Sequence, residues 1–179
     1  MKQPGGKTHL WAIVADPVGH VRAPSFVNPM FEARGLDGFL LPLHVRAADL
    51  ADVLPRLARI GNLKGIIVTI PHKESIAKLC DTLGPHASEV GAVNTIRIDS
   101  DGKLAGEMFD GIGLIETAKR SGMDPAGRRV LLLGAGGAAR AIAFAMVKAG
   151  ASHIGIANRT LERAAALVNA PPAIYHGSS

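Results

Sequence analysis

Cysteine is nearly missing: Cys80 is the only one in 179 residues. No internal disulfide can form, and a reducing compartment suits such a chain. No histidine or carboxylate stands around Cys80 at the spacing of a nucleophile or a metal site, so the thiol is expected to be a small core residue and no metal is expected. Aromatic residues are scarce as well, 4% of a chain that is 47% hydrophobic. The core must then come from Leu, Ile, Val and Ala, as in α/β proteins whose parallel strands are covered on both faces. The formal charge is +5, but no run of basic residues carries it. A nucleic-acid footprint would need clustering on one face, so nucleic acid is not an expected partner. An anionic small molecule remains compatible. Long apolar runs are absent too. The N-terminal stretch MKQPGGKTHLWAIVADPVGH is too short in apolar residues for a signal sequence or a membrane span. A soluble, cytoplasmic protein with no membrane partner is expected.

What is present alternates. HLWAIVA, His9 to Ala15, reads as a buried strand ended by Asp-Pro. Phe26, Met30 and Phe31 recur at helical spacing between Ser25 and Arg34, with Gly35 as the stop. FLLPLHV, Phe39 to Val45, is a second strand, and Pro42 points to a sheet edge. Leu50, Val53, Leu54, Leu57 and Ile60 share one face of a helix expected over 48–60. LKGIIVTI, Leu63 to Ile70, is a third strand. Pro71 then opens a helix expected to run through Ile76, Leu79 and Leu83. Two strands in GAVNTIRIDSDGKLAGEMF meet at Asp101-Gly102, a hairpin signal. Asp110 to Ser121 is helical. The polar stretch SGMDPAGR separates it from a new β-α-β: RVLLLG, a helix over Gly137 to Ala149, and HIGIAN. No internal repeat is visible. The order argues for an α/β fold with a mainly parallel sheet.

GAGGAARAIAFAMVKAG, residues 134–150, contains G-x-G-x-x-A as Gly134, Gly136 and Ala139. It follows a strand and opens a helix, the context in which this pattern binds dinucleotides. The first glycine permits the turn, the second admits a pyrophosphate, and the small third residue packs helix on sheet. The helix N-terminus offers free N–H groups to phosphate. An ordinary tight βα turn is the alternative. An NAD site would place Asp or Glu at the tip of the second strand. Here the tip reads Asn158-Arg159-Thr160, with Arg163 one turn on. An arginine fork suits a 2′-phosphate, so NADP is favoured over NAD. A plain polar helix cap would read the same way.

Two groups could supply proton chemistry. Lys73 follows the strand LKGIIVTI, and Asp110 follows LAGEMF. Carboxyl ends of strands are where open α/β sheets bind ligands. A carboxylate would keep the ammonium charged and oriented, which suits donation of a proton to a developing alkoxide. From the residues alone, Lys73 equally reads as a solvated surface group and Asp110 as a helix N-cap.

The motif order resembles the shikimate dehydrogenase family over essentially the whole chain. ADPVGHVRAPSFVN carries Pro17, His20, Pro24 and Asn28 in register with the family's Gly-x-Pro and His-Ser-x-Ser-Pro segment. IVTIPHK, GAVNT and GEMFDGIG stand for its further motifs. GAGGAAR and NRTLERA are complete at 134–140 and 158–164. The resemblance implies an NADP-linked alcohol/ketone oxidoreductase acting on shikimate, quinate or a related cyclic hydroxy acid or ketone. It implies Lys73 and Asp110 as the catalytic pair, with Asp110, Thr69 and Asn94 at substrate-contacting positions. It implies Gly134, Ala135, Gly136, Gly137, Ala138, Asn158, Arg159, Thr160 and Arg163 as NADP contacts. Residues 1–108 would be an α/β substrate-binding and catalytic domain. Residues 109–179 would be a linker helix and a partial Rossmann-type NADP-binding domain.

The departures fall on substrate recognition. The family's two carboxylate-binding serines are Val21 and Ala23 here. Its Asn before Val-Thr is Ile67, and its Asn-Thr before the catalytic acid is Met108-Phe109. Each hydrogen bond lost to a charged ligand group costs about 1.5–3 kcal/mol. Two lost serines then weaken shikimate binding by roughly two or more orders of magnitude. Ser25 or Arg22 could compensate, although Arg22 would point to the opposite face if the segment is extended. A less polar substrate is expected, with unchanged use of shikimate as the alternative. The chain also ends with APPAIYHGSS soon after the second cofactor strand, so a truncated relative with weak or absent catalysis is expected. A non-catalytic ligand-binding module, or a homodimer formed through the first-domain sheet, is the alternative.

Overall fold

A computed structural model describes residues 3–169. The chain divides into two compact units. One holds the residues up to Ala87 together with Gly91–Glu107, and the other holds Ser88–Val90 and the residues from Met108 on.

The first unit is built on a mixed sheet. Its strands are β1 (His9–Ala15), β2 (Gly38–His44), β3 (Leu63–Val68), β4 (Thr82–Leu83), β5 (Thr95–Ile98) and β6 (Leu104–Glu107). Their order across the sheet is β2-β1-β3-β5-β6-β4. β1 runs parallel to β2 and to β3, and β4 runs parallel to β6. β5 is antiparallel to both neighbours. The parallel part is the most deeply buried: Ala12, Ile13, Val14 and Ala15 are all sealed, because β1 is central and covered on both faces. β2 lies at the edge, as Pro42 requires of a residue with no N–H to give to a ladder.

α1 (Ala23–Ala33) returns the chain from β1 to β2. Of its three apolar residues at helical spacing, only Phe31 turns inward, stacking on Trp11 with ring centroids 4.8 Å apart. Phe26 and Met30 are exposed. Asn28 fixes the helix to β2: its Nδ2 donates to the Leu40 carbonyl at 3.0 Å and its Oδ1 accepts from the Leu40 N–H at 2.7 Å.

Two sequence expectations are corrected here. The helix expected over 48–60 is a 3-10 turn at Ala47–Asp49 followed by α2 (Leu50–Leu57). Leu50 and Leu54 are buried, but Ile60 lies beyond the helix and is exposed. The helix expected through Leu83 stops early as α3 (Lys73–Ala77). The Asp81 carboxylate takes the Leu104 N–H at 2.8 Å, and the Asp81 and Gly84 N–H groups bond to the Leu104 and Gly106 carbonyls. These bonds draw Thr82 and Leu83 into β4. Gly84 then precedes Pro85, which disfavours helical backbone before it and opens α4 (Pro85–Val90).

The second unit holds α5 (Asp110–Arg120), β7 (Arg129–Leu133), α6 (Gly137–Lys148), β8 (His153–Ala157) and α7 (Leu161–Val168). β7 and β8 are parallel, with Leu133 beside Ala157. This is the β-α-β unit expected from RVLLLG and HIGIAN. α5 packs on α6 so tightly at Gly111 that a Cβ there would collide with the Ala141 carbonyl oxygen and come within 2.7 Å of the Ala145 Cβ. The segment 170–179, on which the truncation expectation rests, lies outside the described residues.

Candidate functional site

In the first unit the loops at the carboxyl ends of β1, β2 and β3 are tied together. The peptide Asp16-Pro17 is cis. The Asp16 carboxylate accepts from His44 Nε2 at 2.9 Å and from the Ala47 N–H at 3.0 Å. The His44 hydrogen bond, then the Ala47 one, holds the Asp16 carboxyl below the usual carboxylate range. The Asp16 N–H reaches the Ile70 carbonyl, and Val45 N–H reaches Ala15.

Val21 closes a turn onto Val18, and Ala23 is the first residue of α1. The segment is therefore not extended, so the condition under which Arg22 would point to the opposite face is not met: Arg22 occupies the N-cap in helical conformation and is exposed. Ser25 spends its hydroxyl on the Arg22 carbonyl at 2.7 Å.

After β3, Thr69 N–H bonds to the Val14 carbonyl and the Thr69 carbonyl accepts from His72 N–H. Ile70-Pro71 is the second cis peptide. His72 is buried, and its Nε2 donates to the Val45 carbonyl at 2.8 Å. Lys73 follows as the first residue of α3, half-buried, and its carbonyl accepts from Val93 N–H at 2.9 Å. The next residue, Asn94, is also half-buried. Its N–H bonds to the Glu107 carbonyl at 3.0 Å, and its own carbonyl takes Val68 N–H. Thr95 Oγ1 donates to Asn94 Oδ1 at 3.1 Å. Thr69, Lys73 and Asn94 are thus gathered by a short run of backbone bonds at one end of the sheet. Ile67 stands on β3 just before them, half-buried.

Asp110 belongs to the second unit, where it is the first residue of α5. The N-cap is Phe109, so the capping alternative for Asp110 does not hold. One place further in, its charge still favours the positive end of the helix. Met108 is buried and Phe109 is exposed.

The glycine turn of the second unit lies beside the end of β8. Gly134 N–H bonds to the Ala157 carbonyl at 2.7 Å, and Gly134 has φ +114°, a conformation side chains resist. Gly136 is the N-cap of α6, and Ala139 is buried under it. Ala135 and Gly137 are half-buried and Ala138 is exposed. Across the turn, Asn158 Nδ2 donates to the Thr160 carbonyl at 2.8 Å. Thr160 is the N-cap of α7, and Arg159, Thr160 and Arg163 are exposed. The turn and the Asn-Arg-Thr tip therefore sit side by side at the carboxyl ends of two adjacent strands, the crevice end of such sheets.

Two family models match the chain. A shikimate dehydrogenase substrate binding domain matches residues 13–96, and a shikimate / quinate 5-dehydrogenase domain matches residues 116–175. The chain belongs to the shikimate dehydrogenase family. A shikimate dehydrogenase (NADP(+)) of Geobacter metallireducens is 42% identical over 174 residues, 97% of this chain. The chain spans 60% of that relative's length. A crystal structure of shikimate 5-dehydrogenase from Thermus thermophilus with NADP(H) and shikimate matches with TM-score 0.82 and 34% identity, covering 90% of this chain and 60% of that one. The ligand-free 5-ketofructose reductase of a Gluconobacter strain matches with TM-score 0.81 and 34% identity, covering 92% and 60%.

Cys80 is half-buried; its burial, with the Asp81 charge adding, pushes the thiol up to about 11. It touches the space where a Cβ on Gly106 would go. Among the described residues, no cluster of three His, Cys, Asp or Glu could hold a metal, and no helix is long and apolar enough to cross a membrane. Sequence reasoning missed four residues: His72, Asp16, His44 and Glu107. Their types carry no periodicity, and only the partner bonds reveal them.

Proposed function

We propose that this chain serves an NADP-dependent oxidoreductase that reversibly reduces a cyclic ketone, 3-dehydroshikimate or a related and less polar compound, to the alcohol. The observation that carries this is the coincidence of family membership with an open glycine turn beside an arginine-bearing strand tip. A Cβ added at Gly134 or Gly136 would meet nothing within 4 Å, so the backbone there stands clear for a ligand. Gly134 to Ala138 would hold the pyrophosphate at the head of α6. Asn158, Arg159, Thr160 and Arg163 would hold the adenosine ribose and its 2′-phosphate. NADP, when bound, supplies or takes up the hydride.

Lys73 and Asp110 are the proposed catalytic residues. The Lys73 ammonium would give its proton to the oxygen that becomes the alcohol, with Asp110 as the second member of the catalytic pair. Thr69 and Asn94 are proposed to contact substrate. Val21 and Ala23 stand where hydroxyls would bind a carboxylate, which favours a substrate less polar than shikimate. Residues 1–108 are assigned to substrate and residues 109–179 to cofactor. A cytoplasmic location and self-association as a homodimer complete the proposal.

The test is a substrate panel with NADP that includes shikimate, quinate and less polar cyclic alcohols. Lys73→Ala and Asp110→Ala should each abolish turnover while NADPH binding persists. Normal turnover in both variants would end the catalytic assignment.

A further inference from the structure

Glu107 is half-buried at the end of β6, and no role above uses its side chain. Its two ends work in opposite directions. The carboxylate Oε1 accepts the Ala87 N–H of α4 at 2.8 Å, and Oε2 stands 3.8 Å from His86 Nδ1. The backbone carbonyl of the same residue accepts the Asn94 N–H at 3.0 Å. Glu107 therefore fastens both ends of the segment 87–94. Inside that segment, Gly91 turns the chain with φ +70° and Val93 N–H holds the Lys73 carbonyl. Gly84 makes room for the carboxylate: a Cβ there would collide with Glu107 Oε2 and come within 2.7 Å of its Cδ.

We propose that Glu107 is a positioning residue for the reaction proposed above, fixing Asn94 directly and Lys73 through Val93. Freed from the carboxylate, α4 shifts its first turn, and the strain reaches the two substrate-facing residues at the far end of the segment. The proposed role acts through the backbone of 87–94 and needs no contact of the side chain with substrate or cofactor. Its effect should therefore fall on turnover and leave cofactor affinity alone.

The experiment uses the 179-residue chain with shikimate-type alcohols and NADP, assayed well below the melting temperature of every variant. Glu107→Gln keeps an oxygen that can accept the Ala87 N–H, so it should retain turnover. Glu107→Leu should lower kcat by about ten- to a hundredfold, as a small misplacement of reacting groups does. The KM for NADP should stay within about twofold. Gly84→Ala should reproduce the loss by displacing the carboxylate while Glu107 itself is intact. Amide hydrogen exchange should quicken at Ala87, Val93 and Asn94, and stay unchanged at Ala12 and Val14 of β1. Unchanged kcat in both Glu107→Leu and Gly84→Ala would overturn the proposal. So would faster exchange confined to Ala87. If the unaltered chain turns over no substrate of the panel, the enzymatic reading fails by itself. The exchange at Val93 and Asn94 then decides the positioning role alone, quickened for it and unchanged against it.

Discussion

His72 gives its Nε2–H to the carbonyl of Val45 at 2.8 Å, with the imidazole almost wholly shielded from solvent. The bond joins the loop after β2 to the start of α3, one residue before Lys73. A side chain of similar size without a donor leaves that carbonyl buried and unpaired. His72→Leu should cost about 1–3 kcal/mol of stability, read from the midpoint of urea denaturation.

Gly111 places α5 against α6 at a distance that excludes a methyl group. An added Cβ would meet the Ala141 carbonyl oxygen, which cannot rotate away as a side chain can. Gly111→Ala should destabilise the chain by roughly 1–3 kcal/mol through overpacking, despite the better helix propensity of alanine. Thermal unfolding checks it, and a stabilised variant would refute the packing argument.

Asp16 accepts hydrogen bonds from His44 and from the Ala47 N–H, and these hold its carboxyl below the usual range. A depressed value in the folded chain stabilises the fold once the unfolded carboxyl is ionised, above about pH 4. The benefit disappears as pH falls through the lower folded-state value. Stability should therefore drop on acidification below about pH 4, and Asp16→Asn should flatten that limb of a stability-against-pH curve.

Arg159 is exposed at the strand tip beside the glycine turn. If it holds a 2′-phosphate, Arg159→Ala should weaken NADPH binding by roughly ten- to a hundredfold, the worth of charge-assisted hydrogen bonds. NADH binding should not change. Titration calorimetry with both cofactors measures the difference, and an unchanged NADPH affinity would remove this arginine from the site.

Val21 and Ala23 flank the exposed Arg22 at the head of α1. Restoring two hydroxyls as Val21→Ser with Ala23→Ser should tighten shikimate binding by roughly a hundredfold. Less polar cyclic alcohols should bind no better. Competition binding of shikimate against such an alcohol tests the selectivity.

What the sequence by itself determined follows from local causes. Apolar runs such as HLWAIVA and RVLLLG read as strands, although only the first is sealed while Leu131 and Leu133 of the second stay exposed, and Pro42 stands where no ladder needs its N–H. The turn at Gly134 was legible because its backbone conformation forbids most side chains. Tertiary structure decided the rest, because it depended on partners distant in the chain. Asp81 draws Thr82 and Leu83 into a strand beside Leu104 to Gly106, against the helical spacing of Ile76, Leu79 and Leu83. Asp16 meets His44, His72 meets Val45, and Glu107 meets Ala87 across gaps of 28, 27 and 20 residues. A hydrogen bond forms wherever folding brings a donor to an acceptor, so such pairs leave no period or spacing in the sequence to read.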